Sequence, residues 1–236
     1  MDERRVVNDD AGVASFFSKV YTKMGLGLGL TGLLSYLLAV PFQQQYLTFI
    51  GQHQILAWIF LFLPFIMTFM VSGRRAQQNT SFGNLMFYLF SASFAFQISL
   101  VLMVYPTINI FAAFVVTAVI FVSMSLVGRF GHKDLSKAGS IAYTALWGVI
   151  VMSLVNLFIA SSGLQWLINY AILAIFIVMT AFDTQKLKQV YLTAGGTGDG
   201  LIAENALVTQ GALMLYLDFL NLFLVILRIF GGVSRD

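Results

Sequence analysis

Ala212-Leu-Met-Leu-Tyr216-Leu-Asp218-Phe-Leu-Asn221-Leu-Phe-Leu-Val-Ile-Leu-Arg228-Ile-Phe230 is an apolar run of membrane-spanning length with a carboxylate inside it. A hydrocarbon core of ~30 Å takes ~20 mostly apolar residues in helical form. An ionised Asp at the centre of such a helix costs ~2.5–3.5 kcal/mol even on insertion scales. It survives by lining a water-filled path, by pairing with a cation, or by holding a proton. A plainer role, one buried hydrogen bond that locks helix packing, competes with these. Asn221 lies on the same helix face three residues on, and Glu204, Asn205, Gln210 and Tyr216 add polar groups upstream. This stripe predicts a helix that faces a bundle interior rather than lipid.

The rest of the chain repeats the apolar pattern without the acid. Of 236 residues, 59% are hydrophobic and only 10% charged, against roughly 25% charged in soluble domains. Charged residues are absent from Lys23 to Arg74, from Arg75 to Arg129, and from Lys137 to Asp183. Each gap holds two crossings, interrupted at Pro41 with Gln43-Gln44-Gln45, at Pro106, and at Ser161-Ser162-Gly163. Helices are predicted at about 24–40, 55–73, 83–105, 108–128, 138–160, 166–183 and 205–230, after a cytoplasmic N-terminal segment, 1–23. The runs are continuous rather than alternating, which excludes a barrel. The fold class is therefore an all-α integral membrane protein with seven transmembrane helices.

Thirteen Lys and Arg residues set the expected orientation. They precede span one and follow spans two, four and six, while the loops after spans one, three and five carry none. By the positive-inside bias the N-terminus is cytoplasmic. Arg228 and Arg235 then end up outside if the last segment crosses, or inside if it re-enters. The stretch from Thr184 to about Asn205, with Gly195, Gly196, Gly198 and Gly200, reads as a mobile cytoplasmic loop. The net charge of +3 is spread rather than clustered, so no nucleic-acid partner is expected. Without Cys there is no disulfide framework, thiolate metal site or Cys nucleophile.

Asp183 ends span six and Asp218 begins deep in span seven, so both belong to the inner half of the bundle. Arg74 and Arg75 end span two on that side. Two neighbouring carboxylates would share a proton and titrate as a unit, and an Arg would latch the ionised form. Weaker motifs lack their context. Gly27-Leu-Gly29-Leu-Thr31-Gly32 matches a nucleotide-loop pattern but follows no strand. Close packing by small residues, Gly25 with Gly29 and Ser91 with Ala95 and Ser99, accounts for such positions better. Gly196-Thr197-Gly198-Asp199 spells an intramembrane aspartyl protease motif inside a polar loop, where a flexible linker is the better reading.

Several stretches resemble the transmembrane Bax inhibitor motif family. The most specific is the helix from Gly211 to Gly231 around Asp218. Ala181-Phe-Asp183-Thr-Gln185 is similar to that family's Asp-Thr-Gln ending of span six. Lys133-Asp-Leu-Ser136 through Asn156-Leu-Phe158 resembles its fifth span, and Ala112-Ala-Phe114 through Ser125 its fourth. The resemblance implies a last helix wrapped by the other six, paired Asp residues as a pH sensor (here Asp183 and Asp218), and a latching Arg (here Arg74 or Arg75). It also implies a pH-sensitive calcium leak, and for some bacterial members modulation of a membrane-bound protease.

These readings lead to an expected pH-sensitive calcium leak channel gated by Asp183 and Asp218. Tyr216 and Asn221 would be supporting polar groups, and calcium would be a transient ligand of the pair rather than a cofactor. The partners expected are the bilayer, calcium ions and a membrane-bound protease, in a bacterial plasma membrane. A non-conducting regulator of a membrane protease or channel is the alternative. No enzymatic activity is expected.

Overall fold

The computed structural model describes residues 10–194 and 200–233. Nine helices form among the described residues: α1 (Asp10–Ala39), α2 (Gln43–Gln52), α3 (Gln54–Ser72), α4 (Arg74–Gln78), α5 (Thr80–Val104), α6 (Thr107–Phe130), α7 (Ser136–Ile159), α8 (Ser162–Ala194) and α9 (Gly200–Val233). Six of them, α3 and α5 to α9, are long and apolar enough to cross a membrane. The pair α1 and α2, bent by 83° at Val40–Phe42, supplies a seventh candidate. The chain thus folds as an all-α integral membrane protein.

Two expectations on extent need correction. Helix α1 opens at Asp10, well before residue 24, because Val13, Phe16, Phe17 and Val20 bury themselves in the core and extend the helix beyond its most apolar portion. The long loop expected from Thr184 to Asn205 is mostly helix: α8 continues to Ala194 and α9 starts at Gly200. Leu187 and Val208, buried in the shared core, hold these extensions. Arg4, Arg5, the Gly195–Asp199 stretch with its protease-like motif, and Arg235 lie outside the described residues.

Helix α9 is the axis of the bundle. Within its apolar stretch, Ala212, Leu215, Tyr216, Leu222, Val225 and Leu227 are essentially inaccessible. Helices α1, α3, α4, α5, α6 and α8 pack around it, while α7 lies outside on α8. The end of α6, the turn after it and the C-terminal part of α8 carry Arg129, Lys133, Lys186 and Lys188 to one end of the bundle, termed here the basic end. The turns after α5 and α7 and the end of α9 form the far end.

Small residues join α1 to α5, but in a different phase from the one expected. Gly25 and Gly29 have open space where a Cβ would be, whereas a Cβ on Gly27 would stand 2.8 Å from Ser91 Oγ. The contact row is Gly27, Thr31 and Ser35 against Ser91, Ala95 and Ser99, all buried. Thr31 Oγ1 donates to the Ser91 carbonyl at 2.7 Å, and Ser35 Oγ to the Ala95 carbonyl at 3.3 Å. Close backbone approach with hydroxyl cross-links replaces the hydrophobic drive that lipid cannot supply. Gly27→Leu is therefore expected to abolish recovery of monodisperse protein from detergent extracts, while Gly29→Leu leaves it near wild type. Equal recovery of the two variants would refute this seam.

Candidate functional site

The site begins with three consecutive buried residues of α8: Asp183, Thr184 and Gln185. Successive helical side chains diverge by about 100°, so each meets a different neighbour. Gln185 is held by the turn before α7. Its Oε1 accepts from the Leu135 N–H at 2.8 Å, and its Nε2 donates to the Lys133 carbonyl at 2.8 Å. Thr184 bonds its own helix, donating to the Thr180 carbonyl at 2.8 Å, and its Oγ1 lies 3.4 Å from Ser125 on α6. Asp183 turns toward α7 and α9.

Two glycines permit this approach. Gly128 of α6 sits against the Ala181 carbonyl and Thr184, so that α6 and α8 touch backbone to backbone. Gly139 of α7 sits against the Phe182 ring. One turn on, Tyr143 reaches Asp183: its hydroxyl lies 3.5 Å from Oδ1, at the outer limit for a hydrogen bond.

Asp218 completes the site from α9. It is 3% exposed and Asp183 is 2% exposed. The two carboxylates interact electrostatically, and both act on the Tyr143 phenol. Lys186, three residues after Asp183, is the cation acting on that carboxylate. Asp218 Oδ2 is buried with no hydrogen-bond partner among the described residues. Buried polar atoms are nearly always satisfied, so this oxygen calls for a proton, a water or a cation.

The structure thus brings Asp183 and Asp218 together but not the rest of the expected set. Arg74 and Arg75 are exposed, and neither forms an ion pair with the carboxylates. Gly73, in extended conformation, interrupts the helix between α3 and α4, and Arg75 turns outward to lie 4.6 Å from the centre of the Phe82 ring. The latch is therefore not formed in this conformation. Tyr216 faces away from the pair. It points to α1 and α5, where its hydroxyl is 2.7 Å from Thr31 Oγ1 and its ring packs on Phe87, Phe90 and Phe94. Asn221 spends its amide on its own helix, donating to the Leu217 carbonyl at 2.9 Å. Neither is a supporting group of the pair.

Other polar residues had no sequence signal beyond their type. Lys23, half-buried between α1, α5 and α9, donates to Asn84 Oδ1 and, at 2.6 Å, to Thr209 Oγ1. One turn earlier, Lys19 pairs with Glu204 at 2.8 Å. At the basic end a cavity of about 250 Å³ opens beside Gln185, lined also by Gly128, His132, Asp134 and Lys188. The Ser136 hydroxyl and N–H both donate to Asp134 and hold its carboxyl below the usual carboxylate range. Asp134 therefore keeps its negative charge at this cavity, beside Lys188. Among the described residues no group of three acidic or histidine side chains could hold a metal ion.

The comparisons with known proteins agree with this architecture. The family model described as "Inhibitor of apoptosis-promoting Bax1" matches residues 13–235. An uncharacterised membrane protein of Streptococcus pyogenes serotype M6 is 35% identical over 223 residues, covering 94% of each chain. The protein YrjE of Lactococcus lactis is 33% identical over the full length of both chains. The inner membrane protein YbhL of Escherichia coli K12 is 34% identical, covering 96% of this chain and 95% of its own. On the match over nearly its whole length, together with the central helix and its carboxylate, the chain is a multi-pass membrane protein of the Bax inhibitor family.

Proposed function

We propose that the protein is a pH-sensitive cation leak pathway, with calcium as the permeant ion and the Asp183–Asp218 pair as its gate. The observation that carries this reading is the burial of two neighbouring carboxylates on adjacent helices, one of them with an unpartnered oxygen. Two anions so placed are stable only with a proton or a cation between them. Proton and calcium then compete for the same oxygens, and flux falls as the pH falls. The 250 Å³ cavity beside Gln185, with Asp134 at its rim, is the natural entrance from the basic end. That end is taken as cytoplasmic in a bacterial plasma membrane, from its excess of Lys and Arg.

Farther from the basic end, Phe176 on α8 and Val225 on α9 are buried on the same two helices. Their burial also fits a second reading: a non-conducting regulator that docks on a membrane-bound protease or channel. In neither reading is the chain an enzyme. Purified protein in liposomes loaded with a calcium dye separates the two. A leak is expected that is several-fold faster at pH 7.5 than at pH 5.5. Flux no faster than in empty liposomes at both values would remove the channel and leave the regulator.

A further inference from the structure

At the far end, Arg228 of α9 lines a cavity of about 310 Å³ together with Asn169, Gln165, Trp166 and Ser162 of α8 and Tyr105 at the end of α5. This volume is at the lower edge of the ~300–1,000 Å³ typical of small-ligand sites. Its wall is built: Gly231 sits directly against the Tyr105 ring, where no Cβ would fit. Asn169 is buried and accepts from Gln165 Nε2 at 3.2 Å, while Gln165 Oε1 accepts from Asn156 Nδ2 at 3.2 Å.

The charge at this place is one-sided. Arg228 makes no ion pair with any described residue. Asp10, Asp134, Asp183, Glu204 and Asp218, the acidic residues described, lie toward the basic end, with Asp218 ~15 Å back along α9 at ~1.5 Å per residue. No carboxylate lines the cavity, and its polar groups include a guanidinium, an indole N–H, a serine hydroxyl and a phenol. The first turn of α8, which contributes Ser162 and Gln165, brings the positive end of that helix to the cavity. Stacked Trp166 and Tyr170, 5.7 Å apart, mark the depth of a membrane interface. An arginine at the end of the bundle opposite the other described basic residues runs against the charge bias unless an anion meets it there.

We infer that this cavity binds a phosphate group, carried by an anionic phospholipid headgroup or free in solution, with Arg228 as its principal anchor. A guanidinium fork matches two phosphate oxygens, and the Trp166 and Ser162 donors serve the remainder.

Trp166 lines the cavity, whereas Trp58 and Trp147 are exposed elsewhere, which supplies the readout. The full chain with Trp58→Phe and Trp147→Phe, in maltoside micelles, is titrated with short-chain phosphatidylglycerol and separately with inorganic phosphate, following tryptophan emission. A saturable change is expected. Affinity should weaken about tenfold in Arg228→Gln and recover partly in Arg228→Lys, which keeps the charge but not the fork. Lys133→Gln, at the basic end, should titrate like its parent. Saturation by the lipid alone identifies a headgroup site, and saturation by both identifies a site that reads phosphate itself. No saturable change with either ligand overturns the inference. So does an Arg228→Gln protein, helical by circular dichroism, that titrates like its parent, or equal weakening in Lys133→Gln.

Discussion

Calcium flux through liposomes carrying Asp218→Asn is expected to be independent of pH between 5.5 and 7.5, while wild-type flux changes several-fold. The amide keeps the size and polarity of the side chain but can neither ionise nor exchange a proton with Asp183. Competition between one proton and a cation changes occupancy by up to about tenfold per pH unit, so the wild-type effect is large enough to lose visibly. Asn is nearly isosteric with a carboxyl group and removes a buried charge, so the bundle should fold. Asp183→Asn should behave alike, because the proposed gate treats both positions as one titrating unit. Tyr143→Phe should keep the pH dependence with a shifted midpoint, since it removes only the long 3.5 Å contact. An Asp218→Asn protein that retains the wild-type ratio of flux at the two pH values would sink the gate assignment, whatever its absolute leak rate.

The parts of the molecule legible in the sequence are those where one residue conflicts with its surroundings. A carboxylate inside an apolar run is such a conflict, and it points to a central α9 without knowledge of any contact. The apolar gaps between charged residues likewise mark the crossings. Helix ends are harder to read. Hydropathy ceases to distinguish helix from loop once a helix leaves lipid, so α1 before residue 24 and the extensions of α8 and α9 carry no signal. The phase of the α1–α5 seam is also hidden. Gly25, Gly27 and Gly29 are equivalent as letters, and only the direction of Ser91 and Phe87 selects Gly27. Tyr143 is one of nine tyrosines and becomes special only through the close contact of Gly139 with Phe182. Pairing of Arg74 or Arg75 with the carboxylates rests on a shared membrane side, and side does not fix distance.

Gly128→Ala is expected to be strongly damaging for a single-methyl change. The added Cβ would run into the Ala181 carbonyl and crowd Thr184. A backbone oxygen cannot swing aside as a side chain can, so α6 and α8 must separate. Overpacking of this kind costs ~1–3 kcal/mol, and a rigid obstacle belongs at the upper end. For a chain of this size that corresponds to a fall of about 5–10 °C in melting temperature, measurable by the thermal loss of circular dichroism or of the monodisperse peak in detergent. Gly148→Ala is the matching control, since nothing lies within 4 Å of its Cβ position, and it should melt within about 2 °C of wild type. The displacement also has a functional consequence. Ala181 precedes Asp183 by two residues, so moving α8 at this point shifts Asp183 relative to Asp218. Flux in Gly128→Ala should therefore lose pH dependence together with stability, although no titratable group has been altered. If Gly128→Ala melts with wild type, the backbone contact between α6 and α8 does not hold the pair in register, and the carboxylates must owe their proximity to α7 and α9 alone.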